Sequence, residues 1–259
     1  MSRSAVAGIA AIGISAAVVG CGGTGSSSTA TTSAQGASIA ASSQPVVFAA
    51  ASLSRVFPKI DPSATYAFGG SGALQAQIEQ GAPVDVFAAA SAKQPAALFP
   101  MGMVDTPVKF ATNRLVLIVP KGNPAHIASV GDITKPGVKL VICAESVPCG
   151  DYARNVFKNL NITASAMRNV VSNASDVTQV VAQVAVGQAD AGFVYVTDAQ
   201  AANGKVTVIP LPVAAKPLVT DYIAVVRSGK NQAGATRFVR TVLSPPGQAT
   251  LRAAGFGAP

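Results

Sequence analysis

The sequence predicts an α/β fold of two lobes, each a mostly parallel sheet flanked by helices, with two strands crossing between them. Three observations predict it. From Pro45 onward, short apolar runs alternate with stretches of helical periodicity, the order expected of strand, helix, strand units. The series is broken by an unusually apolar segment, NRLVLIVPKGNP (Asn113 to Pro124), after which a fresh series begins. A second such segment, TDYIAVVRSG (Thr220 to Gly229), stands where the chain would cross back. With 259 residues, 49% of them hydrophobic, the chain can bury a full core, as one large domain or two of medium size.

Taken in order, the elements begin at the N-terminus with Arg3, a run of small and apolar residues from Ala5 to Val19, and VVGC ending at Cys21. A basic residue, a short apolar core and small residues at the cut predict an export signal over 1–20; an uncleaved anchor is the other reading. VVGC resembles the lipobox of bacterial lipoproteins, which implies a lipid-modified (palmitate-bearing) Cys21. That places the body outside the cytoplasm, anchored to the cell membrane in an oxidising compartment. Residues 21–44 carry no charge and no aromatic, and read as a flexible tether of about 27 Å r.m.s..

The first lobe, 45–112, opens with a strand over Val46 to Ala51 and a helix over Ser52 to Ile60. A strand over Thr65 to Phe68 follows, then a GGSG turn, a helix over Ala73 to Gln80 closed by Gly81, and a strand over Pro83 to Ala90. The second lobe with its crossing strands occupies 113–222. Its strands are placed at Val138 to Cys143, Arg168 to Val171 and Ala191 to Val196. One helix runs from Asp151 to Leu160; another runs from Val177 to Val186, with Val177, Val180, Val181 and Val184 on one face. Residues 223–259 return to the first lobe with helices over Gln232 to Leu243 and Gly247 to Ala254.

The formal charge of +8 invites a polyanion partner, but no two of the 19 Lys and Arg are adjacent. Scattered single cations read as solvating charges that can still draw small anions inward, and nucleic acid is not an expected partner. The chain has no P-loop, dinucleotide fingerprint or metalloprotease helix, and no cofactor is expected. GGSGA (Gly69 to Ala73) narrowly misses a serine-hydrolase elbow, while the sole histidine, His126, sits in a turn pattern. A C-x5-C pair with one histidine is poor zinc material, so no direct metal ligand is assigned. The chain is read as a binding protein rather than an enzyme, with a serine hydrolase the remote alternative.

Small ligands favour the crevice at the carboxyl ends of parallel strands, here between the lobes. VFAAASL (Val47 to Leu53) and VFAAAS (Val86 to Ser91) both read as strand ends with alanines that leave room there. Ser52 and Ser71 fall at strand-to-helix junctions, where free N–H groups and the helix dipole favour anions; each reads equally as a plain cap. VPCGDYA (Val147 to Ala153) offers another glycine turn before a helix. Asp176 caps the next helix, its spacing to Gln179 fitting a capping box. Tyr195 closes a strand, as a core residue or with its hydroxyl at the cleft.

In combination, VFAAASL, GSGALQAQIEQGAPVDVF, the E-x-VP-x-G-x-YA pattern, SDV and VYVTDA resemble the periplasmic molybdate-binding proteins, solute receptors of ABC importers. The match runs from about Val46 to the C-terminus. It implies the type II periplasmic-binding-protein fold and a monomer that binds molybdate or tungstate and delivers it to an ABC permease. Carried over residue by residue, it implies hydroxyl and backbone N–H donation from Ser52 and Ser71, backbone N–H donation from Cys149 and Val177, and hydroxyl donation from Tyr195. Ser91 is held as a supporting candidate. Cys149 departs from the alanine common in the family, and Cys143 is also unusual there. Two uncommon cysteines six apart outside the cytosol suggest a disulfide that would pin the loop carrying the Cys149 N–H. A receptor for sulfate or another small anion on the same fold is the runner-up.

Overall fold

In the computed structural model, residues 44–259 are described; the expectations for the export signal, Cys21 and all but the last residue of the tether lie outside them. The chain order is β1 (Val46–Ala50), α1 (Phe57–Ile60), β2 (Thr65–Gly69), α2 (Ser71–Glu79), β3 (Val86–Ala89), α3 (Lys93–Leu98) and the long β4 (Val108–Pro120). Then follow β5 (Leu140–Cys143), α4 (Pro148–Asn159), α5 (Thr163–Arg168), β6 (Val170–Ala174), α6 (Val177–Ala185), β7 (Ala191–Tyr195), α7 (Val196–Ala201) and β8 (Val206–Ile209). β9 (Leu218–Val225), α8 (Gln232–Leu243) and α9 (Pro245–Ala253) complete it.

The architecture is the two-lobed α/β arrangement the alternating pattern predicts. Strands run in the order β2-β1-β3-β9-β4-β7-β5-β6, with β8 added beside β4. β1 pairs in parallel with β2 and β3, and β5 in parallel with β6 and β7. The two parallel groups are linked by β4 and β9, which pair antiparallel over Val108 to Arg114. Past that point β4 leaves β9 and pairs with β7 and β8 through Leu115 to Pro120. A single 13-residue strand therefore belongs to both sheets, and its apolar run is buried on both faces from Leu115 onward.

Aromatic packing explains why the last helices return to the first lobe. The Phe57 ring of α1 lies 5.8 Å from Phe110 of β4 and 5.4 Å from Phe238 of α8, all three fully buried. Each such side chain contributes about 1.5–3 kcal/mol by its burial. In the second lobe, Phe157 of α4 packs on Phe193 of β7 at 5.5 Å.

Several expected elements differ. The helix expected over Ser52 to Ile60 is a 3₁₀ turn (Ala51–Leu53) followed by the single turn α1, because Pro58 lacks the N–H a continuous helix would need. α4 starts at Pro148 rather than Asp151, the proline serving as its first residue, so Cys149 lies inside the helix and not in a turn before it. α3, α5, α7 and β8 were not anticipated; three of them are only six-residue helices, too short to show a clear period. The crossing strand begins at Val108, not Asn113, and β6 runs from Val170 to Ala174 rather than Arg168 to Val171.

Candidate oxyanion site

Every parallel strand ends its run at the same crevice. The turns after β1, β2 and β3 approach it from the first lobe, and those after β5, β6 and β7 from the second. There, Ser52, Ser71, Cys149, Val177 and Tyr195 all line one small cavity. Ala50, Ala51 and Ala90 form part of the same wall, as small strand ends should. No Lys or Arg lines it; Asp176 is the one charged residue that does.

Two of these side chains are conspicuous because no described residue satisfies them. Ser52 Oγ and Tyr195 Oη are buried and lack a hydrogen-bond partner among the described residues. Leaving a buried hydroxyl unpaired costs about 1–3 kcal/mol, so such groups in a cavity wall point to a guest that accepts from them. Burial pushes the Tyr195 hydroxyl well above its ordinary pKa, which keeps its proton in place for donation. The Tyr152 ring stands edge-on to the Tyr195 ring at 6.5 Å and limits where it can point.

Neither serine is a helix cap. Ser52 sits in the 3₁₀ turn, and Ser71 is the first residue of α2, with Gly70 in the cap position. Ser71 Oγ instead accepts from the Ala90 N–H at 3.2 Å, leaving its own proton free to donate. Here the second VFAAAS copy makes its contribution, through Ala90 and not Ser91. Ser91 Oγ donates to Gln94 Oε1 at 2.7 Å and accepts from the Lys93 N–H, which commits it to α3 and removes it as a supporting candidate.

Backbone donors come from two helix N-termini. Cys149 is the second residue of α4 and Val177 the first of α6, positions whose N–H groups have no intrahelical acceptor. Asp176 does cap α6, as expected, accepting from the Thr178 and Gln179 N–H groups at 2.8 and 3.1 Å; the Val177 N–H is not among those it takes. The dipoles of α2, α4 and α6 all present their positive ends to the cavity. Cys143 and Cys149 are joined by a disulfide, Cα atoms 5.7 Å apart, tying the end of β5 to the first turn of α4. Arg154 braces the same turn through the Cys143 and Gly150 carbonyls and Asn173 Oδ1.

The lobes meet closely around the cavity. A Cβ on Gly70 would strike the Ser175 carbonyl and Val147, and one on Gly72 would strike the Ser146 carbonyl. These glycines let α2 seat against the loops that open α4 and α6.

A family model described as bacterial extracellular solute-binding protein matches residues 58–257. The chain belongs to that family. Among relatives of this solute-binding protein, the molybdate-binding protein ModA of Mycobacterium tuberculosis is 39% identical over 224 residues, covering 83% of this chain and 84% of the relative. The Haemophilus influenzae molybdate-binding protein ModA is 28% identical over 239 residues, covering 86% and 93%. Among solved structures, the periplasmic molybdate-binding protein of Azotobacter vinelandii superposes with a TM-score of 0.70 at 25% identity, over 83% of this chain and all of the other.

Two acids of this solute-binding protein belong to the site's surroundings and were missed at the sequence level. Asp198 Oδ2 accepts the Tyr195 N–H at 3.0 Å and so holds the strand end that carries the hydroxyl. Its signal was present in VYVTDA, an acid three residues past the tyrosine. Asp221, in the middle of β9, is fully buried with neither carboxyl oxygen partnered among the described residues. An acid inside the apolar run TDYIAVV was the clue. Burial pushes the Asp198 carboxyl up to about 7 and the Asp221 carboxyl well above its usual range. No cluster of metal-ligating side chains occurs among the described residues.

Proposed function

We propose that this chain is the extracytoplasmic receptor of a molybdate importer. It binds molybdate, and tungstate with it, between its lobes through uncharged donors and hands the ion to an ABC permease. The observation that carries the reading is the pair of buried hydroxyls, Ser52 Oγ and Tyr195 Oη, unpartnered among the described residues and contributed by opposite lobes to the wall of one small cavity. The molybdate-binding relatives support the choice of anion.

A tetrahedral dianion stripped of water needs many donors. Charge-assisted hydrogen bonds of about 1.5–3 kcal/mol each replace its hydration. Hydroxyls from Ser52, Ser71 and Tyr195 and N–H groups from Cys149 and Val177 supply at least five. Less the ordering cost of closing two lobes, that suffices for binding tighter than about 1 μM, near −8 kcal/mol. Helix dipoles supply positive potential without a formal charge. The donors of both lobes are brought together only when the lobes are closed, which links capture to a hinge motion of β4 and β9.

Beyond the ion itself, we read Cys21 as lipidated, the body as tethered to the cell membrane, and the receptor as a monomer with no enzymatic role. Parallel isothermal titrations with molybdate, tungstate, sulfate and phosphate test the central reading. Sub-micromolar binding of the first two and much weaker binding of the others is expected. Preference for sulfate would transfer the receptor to that anion, and no binding of any would remove the reading.

A further inference from the structure

We propose that Arg55 and Lys59, set in a cleft beside the cavity, are capture cations that draw the dianion toward a cage that itself carries no positive charge. The inference rests on the receptor reading above and concerns how fast the ion arrives rather than how tightly it is held.

The cleft opens to solvent and is the larger of the two spaces. The two share a wall, since Ala51 and Ser52 line both. Arg55 and Lys59 follow Ser52 on the same short stretch of chain, and Thr178 of α6 and Thr197 of α7 line the same cleft from the other lobe. Both cations are exposed, and neither makes an ion pair among the described residues. No other described Lys or Arg lines the cleft or the cavity. The single acid in the cleft wall, Asp198, spends one oxygen on the Tyr195 N–H.

Two unpaired positive charges at the rim of an anion receptor have a physical use. Hydroxyl and amide dipoles act at contact range, whereas a net charge acts over about a Debye length, near 8 Å at physiological salt. A neutral cage can therefore hold a dianion firmly yet attract it weakly from a distance. Cations inside the cage would correct that at the expense of selectivity, because they would welcome any anion. Placed one wall away, they raise the local anion concentration and leave the final choice to the donors.

The test is stopped-flow association of molybdate, followed by tyrosine fluorescence, the chain having no tryptophan. Wild type is compared with Arg55→Gln/Lys59→Gln and Arg55→Glu/Lys59→Glu. A control double variant, Lys216→Gln/Lys230→Gln, makes the same net change of charge at exposed positions that line neither space. At low ionic strength the neutralised pair should associate about 3–10-fold more slowly and the reversed pair more slowly still. Dissociation should be unchanged, and the deficit should vanish at about 1 M salt. Association unaltered in both variants, a control that slows equally, or a deficit that persists at high salt would each overturn the proposal. A wild type that fails to bind molybdate would instead remove the receptor reading, and this inference with it, before any variant is compared.

Discussion

At the scale of single residues, the candidate site is marked by two buried hydroxyls, of Ser52 and Tyr195, that have no partner among the described residues. Tyr195→Phe should weaken molybdate binding about tenfold to a hundredfold, the loss of one charge-assisted bond. Ser52→Ala should do the same. In the ligand-free protein both changes remove an unsatisfied buried group. Their melting temperatures should therefore hold or rise while affinity falls, which calorimetry and titration on the same samples would check. A parallel drop in both quantities would mean that the hydroxyls serve the fold rather than the ligand. Cys149 and Val177 entered only through the family resemblance, but Ser52, Ser71 and Tyr195 were legible as cleft-side candidates because serine and tyrosine at strand ends, beside alanine and glycine, mark places where a chain leaves room. The partners of those donors were not. Nothing in the string foretells that Ser91 turns to Gln94, or that the Ala90 N–H props Ser71.

Among the elements, α2 approaches the other lobe closely, its first turn passing over the loop before α4 at Gly72. A methyl group there meets the Ser146 carbonyl, and backbone cannot step aside as a side chain can. Gly72→Ala should leave circular dichroism unchanged, weaken molybdate binding at least tenfold and favour the open arrangement in small-angle scattering. Full affinity in that variant would show that the contact is not needed for closure. Strong periodicity carried the element predictions where it existed: α8 has the predicted bounds, and α6 ends one residue early. Failures fell on six-residue helices and on β8, where capping and tertiary packing, not period, choose the conformation. The proline at the start of α4 was the available sign that the helix began before Asp151.

For the molecule as a whole, stability should depend on pH through its buried acids. Asp198 and Asp221 have raised pKa values in the folded protein, chiefly through burial. Below about pH 4 both are protonated whether folded or not. Above that, the unfolded chain releases their protons while the fold retains them, so stability falls as pH rises. The contribution of Asp198 runs out as pH passes through about 7, and that of Asp221 has the same sign. Melting temperature should therefore decline from pH 5 to pH 8, and Asp221→Asn, which keeps the shape without the titrating proton, should flatten the decline. An equal slope in the two proteins would clear Asp221 of this role. The two-lobed plan was readable from the order of runs and the two long apolar segments. The sharing of β4 between both sheets was not, because alternation of runs says nothing about where one strand changes neighbours.

One of the five proposed donors rides on a half-cystine. The amide of Cys149 takes its position from a helix turn that is stapled to the end of β5. Treatment with dithiothreitol should thus loosen molybdate binding, in titrations run beside an oxidised sample, without dissolving the fold. In living cells, a newly made copy that has not yet been exported would hold its thiols free. Such a copy would bind its anion weakly until the bridge forms.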